Sequence, residues 1–289
     1  MNQSAQLTKP KPRSRLFRLL RGLAALYLLA FAGCATFQRR FIYFPPVFTP
    51  EQVDQFAVSE KLERWNTPSG QPIGWKRLSP TQPAQGQVLI THGNAGCAFQ
   101  CGHYADVIQQ VAPFDVFMVE YPGYADRPGR PSERTLDKSA DEAFESLGTN
   151  RPVYLVGESL GTGVAAHLAG TYPDKVAGVV LLAPYNSLVS VAQAHMPWFP
   201  VGLILWDRFP AGKNLRNYHG PVAVLVSGRD PVIPEKFGRR LYDGYVGPKR
   251  LWEFPQGDHG TVMVQPPEIW KQIIDFWQAN LFSSNRGGK

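Results

Sequence analysis

The segment Gly157-Glu158-Ser159-Leu160-Gly161 lies directly after the apolar run Pro152–Val156 and directly before a helix-forming stretch that lasts to Pro173. G-x-S-x-G in that setting makes the chain reverse within about four residues, between a buried strand and a helix. The reversal forces Ser159 into a strained conformation and projects its hydroxyl over the C-terminal edge of a sheet. Glycines at 157 and 161 leave out the side chains that would collide with the neighbouring strand and helix. A chain built around such a turn needs a parallel sheet to present it and helices to cover that sheet.

The rest of the body has that order. Leu62–Trp65 and Ile73–Leu78, either side of Pro68-Ser69-Gly70, read as a hairpin. Gln87–Thr91, Asp115–Glu120, Pro152–Val156, Val176–Leu182, Val222–Ser227 and Arg250–Phe254 are short apolar runs separated by helical stretches. Ser132 is placed to cap a helix reaching about Leu147, and Ile269, Ile273, Ile274 and Trp277 form a helical stripe in the last one. Short unalternated strands separated by helices predict an α/β fold, with a mostly parallel central sheet covered on both faces. Residues 184–220 carry Trp198, Phe199, Trp206 and Phe209 but no strand, and are expected to form a small cap or lid insertion. The predicted domain therefore covers 41–283, with a flexible tail at 284–289.

A serine needs a base, and the base needs a carboxylate to orient it. On this plan the order is Ser, then acid, then His, each after a later strand. Asp230 stands in the loop after Val222–Ser227, and His259, the only histidine beyond it, stands in the loop after Arg250–Phe254. Glu235 and Asp258 are the other acids within reach, and Asp230 has a second possible role as a helix cap. His103, His167, His195 and His219 read as surface or satisfied histidines. Donors for an oxyanion are expected from the backbone N–H of Leu160 and that of Asn94 in the His92-Gly93-Asn94-Ala95 loop, with Ala95 the neighbouring choice. His92 is expected to organise that loop.

No cofactor and no metal are expected. Gly161-Thr-Gly163-Val-Ala-Ala166 matches a dinucleotide fingerprint, but the required acid is missing from Leu181-Leu-Ala-Pro184. His92, Cys97, Cys101 and His103 superficially suggest zinc, but ligands there would straddle a strand–helix junction rather than pair as C-x2–4-C with H-x3–5-H. Cys97 and Cys101 are expected as buried free thiols.

The net charge of +7 belongs to the N-terminus, because residues 1–40 hold eight lysines and arginines and no acid. The body is slightly acidic, which argues against nucleic acid as a partner. After Arg21 an uncharged run leads from Gly22 to Phe37, slightly short of the roughly 17–25 residues that span a bilayer. Residues 1–40 have the layout of a secretory signal and are expected to be an uncleaved membrane anchor, with an apolar helix packed on the domain as the plainer reading. Alternatively, Ala32-Gly33-Cys34 is a lipobox with Cys34 the lipidated residue. The excess of basic residues before the run places the N-terminus in the cytoplasm and the domain outside.

With these residues in place the chain resembles the α/β-hydrolase superfamily over about 40–283, and within it the membrane-anchored, bud-emergence-protein-like serine hydrolases. The resemblance lies in Phe37-Gln-Arg-Arg-Phe-Ile-Tyr-Phe-Pro45, Thr91-His-Gly-Asn-Ala-Gly96, Glu120-Tyr-Pro-Gly-Tyr124 and Pro131-Ser-Glu133. It continues in Gly157-Glu-Ser-Leu-Gly161, Pro197-Trp-Phe-Pro200, Asp207-Arg-Phe209 and Gly228-Arg-Asp230. Cys97 stands where that group usually has Asn, and Ala125 where a glycine often follows; both are expected to alter the approach to the pocket. The resemblance implies hydrolysis of a carboxylic ester or thioester, with a small-molecule or lipid-like acyl substrate. A prolyl-peptidase-like amidase with the same triad, and a non-catalytic binding protein on the same fold, remain as alternatives. The oligomeric state is open.

Overall fold

The computed structural model describes residues 12–148 and 151–284. It divides into two compact units, Met1–Ile42 and Tyr43–Lys289.

The described part of the first unit is a helix, α1, Pro12–Ile42. The apolar run from Gly22 is therefore part of a longer element: helix continues through the flanking arginines. Its Arg15–Ile42 portion is 28 residues long and apolar enough to cross a membrane. At 1.5 Å per residue that is about 42 Å, more than the roughly 30 Å of a hydrocarbon core, so the deficit read from the uncharged run alone disappears.

The second unit opens with α2, Pro50–Ser59, which carries a full capping box from Thr49 and Gln52. β1, Glu63–Asn66, and β2, Pro72–Arg77, form the expected hairpin. β3 is Gly86–Thr91, α3 is Gly102–Val111, β4 is Phe114–Val119 and α4 is Glu133–Glu145. β5, Val153–Glu158, runs into α5, Gly161–Thr171, and β6 is Val176–Leu182. Three short helices occupy the predicted cap: α6, Leu188–His195, α7, Val201–Ile204, and α8, Ala211–Asn214. β7, Val222–Ser227, α9, Glu235–Gly244, β8, Lys249–Phe254, and α10, Pro267–Ser284, follow. Of the expected tail, everything past Ser284 lies outside the described residues.

The eight strands form one sheet in the order β1-β2-β4-β3-β5-β6-β7-β8. β2 is antiparallel to β1 and β4, and every pairing from β4 to β8 is parallel. The period-2 alternation of strand side chains divides the core. Val88, Ile90, Tyr154, Val156, Val180 and Leu182 share a cluster with Tyr104 and Ile108 of α3 and Trp270, Ile273 and Trp277 of α10. Trp277 stacks on Tyr154 at 4.8 Å between ring centroids and donates its indole N–H to the Val179 carbonyl. On the opposite face α5 lies against β5, beside α4, and α9 lies against β7.

One ionic cluster joins α4 to α5. His167 reaches Asp141 at 3.1 Å and Asp137 at 3.7 Å. Burial, reinforced by Glu133, Asp141 and Asp207, pushes the Asp137 carboxyl from 3.8 up to about 7 against the opposing pull of His167. Burial works against a charged His167, but its bond to Asp141 and the charge of Asp137 outweigh burial and raise it. Both groups hold a proton more tightly when folded, so both contributions to stability fade as the pH climbs: that of Asp137 from about 4 to 7, that of His167 above its usual value. Replacing Asp137 with Asn is expected to raise the melting temperature at pH 8 by roughly 5 °C, and to give no gain near pH 4. Melting curves across that range check it.

Candidate active site

At the end of β5 the chain turns as the glycine pattern requires. Ser159 has φ +50°, the left-handed region that costs an L-residue roughly 1 kcal/mol or more. Its N–H is held by the Leu182 carbonyl at 2.9 Å, and its carbonyl accepts from both the N–H and the hydroxyl of Thr162. The flanking glycines are there for close approach. A Cβ at 161 would lie 2.0 Å from the Thr91 carbonyl oxygen, and one at 157 would lie 2.8 Å from Ala165 Cβ. The Thr91 hydroxyl also donates to the Gly161 carbonyl at 2.9 Å, tying β3 to the first residue of α5.

Three loops at this one edge of the sheet bring Ser159, His259 and Asp230 together. His259 Nε2 lies 3.1 Å from Ser159 Oγ, and its Nδ1 lies 2.6 Å from Asp230 Oδ2. An ionised carboxylate only accepts, so Nδ1 carries the proton and the lone pair of Nε2 faces the hydroxyl. Asp230 is buried and His259 is about one quarter exposed. The other Asp230 oxygen, Oδ1, accepts the N–H groups of Val232 and Ile233, each at 2.8 Å. Oδ1 thus holds the loop ahead of α9, whose N-cap is Pro234 with no side-chain cap bond, so Asp230 does not cap that helix. The rival acids are placed elsewhere. Asp258 bonds the N–H and hydroxyl of Thr261, the hydroxyl bond leading in holding its carboxyl below the usual range, and Glu235 faces Arg239.

The His92–Ala95 loop crosses beside the turn. His92 is buried, with Nδ1 on the Gly93 carbonyl at 2.8 Å and Nε2 on Glu120 Oε1 at 3.1 Å. Glu120 also accepts the N–H groups of Tyr121 and Ala98, so the ring organises the loop and lies away from Ser159 Oγ. Asn94 Oδ1 accepts the Phe44 N–H at 3.0 Å and the Tyr124 hydroxyl at 2.8 Å. Ala95 has φ +58°. Leu160 is the N-cap of α5, where a backbone N–H has no intrahelical partner.

Cys97 is fully buried in the core beside Phe99, and Cys101 is buried below it, both as free thiols. Cys97 therefore packs the interior. Burial drives both thiols above their ordinary range. Ala125 adopts φ +49° without glycine, and its N–H and C=O bond Pro46 and Phe48. His103 bonds the Gln100 carbonyl, and His219 is exposed. Among the described residues no cluster of His, Cys, Asp or Glu is arranged to hold a metal ion. Two surface hollows share Pro152, Asp174 and Lys175 and lie where β5 and β6 begin, away from Ser159.

Sequence reasoning missed one connection. His195, at the end of α6, lies 2.9 Å from the Val232 carbonyl, and the Ile233 N–H of that same peptide unit is one of the two on Asp230. The cap is thereby linked through one peptide unit to the carboxylate that orients His259. A histidine facing a carbonyl 37 residues away leaves no trace in local spacing.

A family model described as alpha/beta hydrolase fold matches residues 86–210. An uncharacterized protein of Mycobacterium tuberculosis is 32% identical over 247 residues, covering 82% of this chain and 87% of that relative. Lysophosphatidylserine lipase ABHD12 of Danio rerio is 28% identical over 204 residues, covering 62% of this chain and 52% of that protein. The chain thus spans about half the length of that lipase. Among solved structures, an esterase of Pyrococcus furiosus superposes with TM-score 0.60 at 15% identity, covering 83% of this chain and 98% of its own. That likeness is one of fold.

Proposed function

The chain belongs to the α/β-hydrolase fold family, and from that premise we propose that it is a membrane-tethered serine hydrolase cleaving carboxylic esters or thioesters through an acyl-enzyme. The observation that carries this reading is the hydrogen-bonded line from Ser159 Oγ through His259 to Asp230, at 3.1 and 2.6 Å. As Ser159 Oγ attacks the carbonyl carbon, its proton passes to His259 Nε2. Asp230 holds the ring in the required tautomer and stabilises the imidazolium that forms. The backbone N–H groups of Leu160 and Asn94 receive the developing oxyanion, each contributing about 3–4 kcal/mol. Collapse of the tetrahedral intermediate expels an alkoxide or thiolate, which takes the proton from His259 and leaves the acyl group on Ser159. Water then attacks the acyl carbon, gives a proton to His259, and the returning proton restores Ser159 as the acid departs.

The lipase relative supports an ester substrate, and its name, for lysophosphatidylserine, supports an acyl chain of lipid type. The helix at 12–42 acts as the anchor, with the N-terminus cytoplasmic and the catalytic unit exported. Cys34 is partly exposed on this helix, which runs unbroken through Gly33 and Cys34; lipidation there is the alternative means of attachment. A fluorophosphonate probe followed by peptide mass mapping tests the chemistry. The adduct is expected on Ser159, and a protein left unlabelled, or labelled at another serine, overturns the reading.

A further inference from the structure

From Met196 to Trp206 the cap carries no charged residue. α7 turns Val201, Ile204 and Leu205 into the core, yet Trp198 is 86% exposed, Leu203 81% and Trp206 62%. A second apolar strip begins the same unit, where Phe44 is 57% exposed and Val47 79%. The residues that flank the two strips are both buried and close enough to interact: the charge of Asp207 adds to burial in raising the Tyr43 phenol. Both strips also border the candidate site, one through Phe44 N–H on Asn94 and the other through His195 on the Asp230 loop. Single exposed apolar residues are ordinary, but two uncharged strips bordering one site, one of them with two outward tryptophans, make a contact surface.

The sequence names the occupant. Tyr43 follows Ile42 directly, so the first strip starts within two residues of a helix apolar enough to cross a membrane. Tryptophan and leucine without charge suit the headgroup boundary of a bilayer, where the indole ring is half in hydrocarbon and its N–H in water. We infer that the rim formed by Phe44, Val47, Trp198, Leu203 and Trp206 rests in the interfacial layer of a lipid bilayer. The mouth of the site then opens onto lipid, and an acyl substrate passes from the bilayer to Ser159 without crossing water. The inference rests on reading α1 as an anchor, and it deepens the proposed hydrolase by giving its substrate a lipid-phase route.

The tryptophans supply the test. Of seven in the chain, Trp65, Trp75, Trp252, Trp270 and Trp277 are buried, which leaves Trp198 and Trp206 exposed. The full chain is reconstituted into phosphatidylcholine vesicles, with or without bromine on the acyl chains, and floated on a density gradient. Brominated lipid is expected to remove about a quarter of the tryptophan emission, and this loss should vanish in the Trp198→Phe, Trp206→Phe double variant. Quenching in a protein that takes no fluorophosphonate would sustain the rim while refuting the hydrolase. If the chain floats but only aqueous iodide quenches it, the rim faces water and the inference fails while the anchor stands. If neither quencher acts and cross-linking captures pairs of chains, the rim is a self-association face and the inference also fails. A chain that does not float removes the anchor, and the rim's bilayer contact with it.

Discussion

Ser159→Ala should lower kcat for a p-nitrophenyl ester by about 10⁴–10⁶-fold, abolish fluorophosphonate labelling, and leave the melting temperature nearly unchanged. The size of the effect follows from geometry. The hydroxyl at 159 stands within hydrogen-bond reach of His259 Nε2, and without it the ring loses the nucleophile it is placed to activate. The small change in stability follows from how the turn is held. The N–H and C=O of residue 159, bonded to Leu182 and Thr162, keep the strained backbone in place whatever the side chain. Turnover and labelling that both survive in a folded Ser159→Ala protein would sink the acyl-enzyme mechanism.

A second large loss is expected from Asp230→Asn, and here rate and fold separate. The amide retains one oxygen, which can still accept the Val232 and Ile233 N–H groups now taken by Oδ1, so the loop should stay folded to within about 1–2 kcal/mol. Its NH₂ then faces His259 Nδ1 as a donor. That fixes the proton on Nε2, where a lone pair is needed, and kcat should fall by about 10⁴-fold. Asp230→Ala should lose the activity and the loop together. Comparing kcat with thermal melts of the two variants separates orientation of the imidazole from simple collapse of the loop; equal loss of stability in both would refute the division of labour between the two oxygens.

Much of this arrangement was legible because it is written in local periodicity and order. The runs Val176–Leu182 and Val222–Ser227 are β6 and β7 residue for residue, since a strand buried on both faces is an uninterrupted apolar stretch bounded by turns. The meeting of Ser159, Asp230 and His259 followed from chain order, because loops after successive parallel strands emerge at one edge of the sheet. α2 was overlooked although Thr49, Pro50 and Gln52 announce it. Only Val53 and Ala57 of that helix are buried, too short a stripe to register as periodic. The antiparallel placement of β2 beside β4 was not legible either, because it depends on pairing between segments some forty residues apart. The span of α1 was underestimated by counting only uncharged residues, whereas helical hydrogen bonding continues through arginines whose long stems lie along an apolar surface.

Asn94 offers its backbone to the proposed oxyanion site while its side chain grips the amide of Phe44. The segment that follows the proposed anchor helix is therefore tied to the proposed catalytic loop. A clipped form starting at Pro45 would keep every proposed reacting side chain yet lose the Phe44 N–H that Asn94 Oδ1 accepts, and is expected to work less well even on a substrate freely dissolved around it.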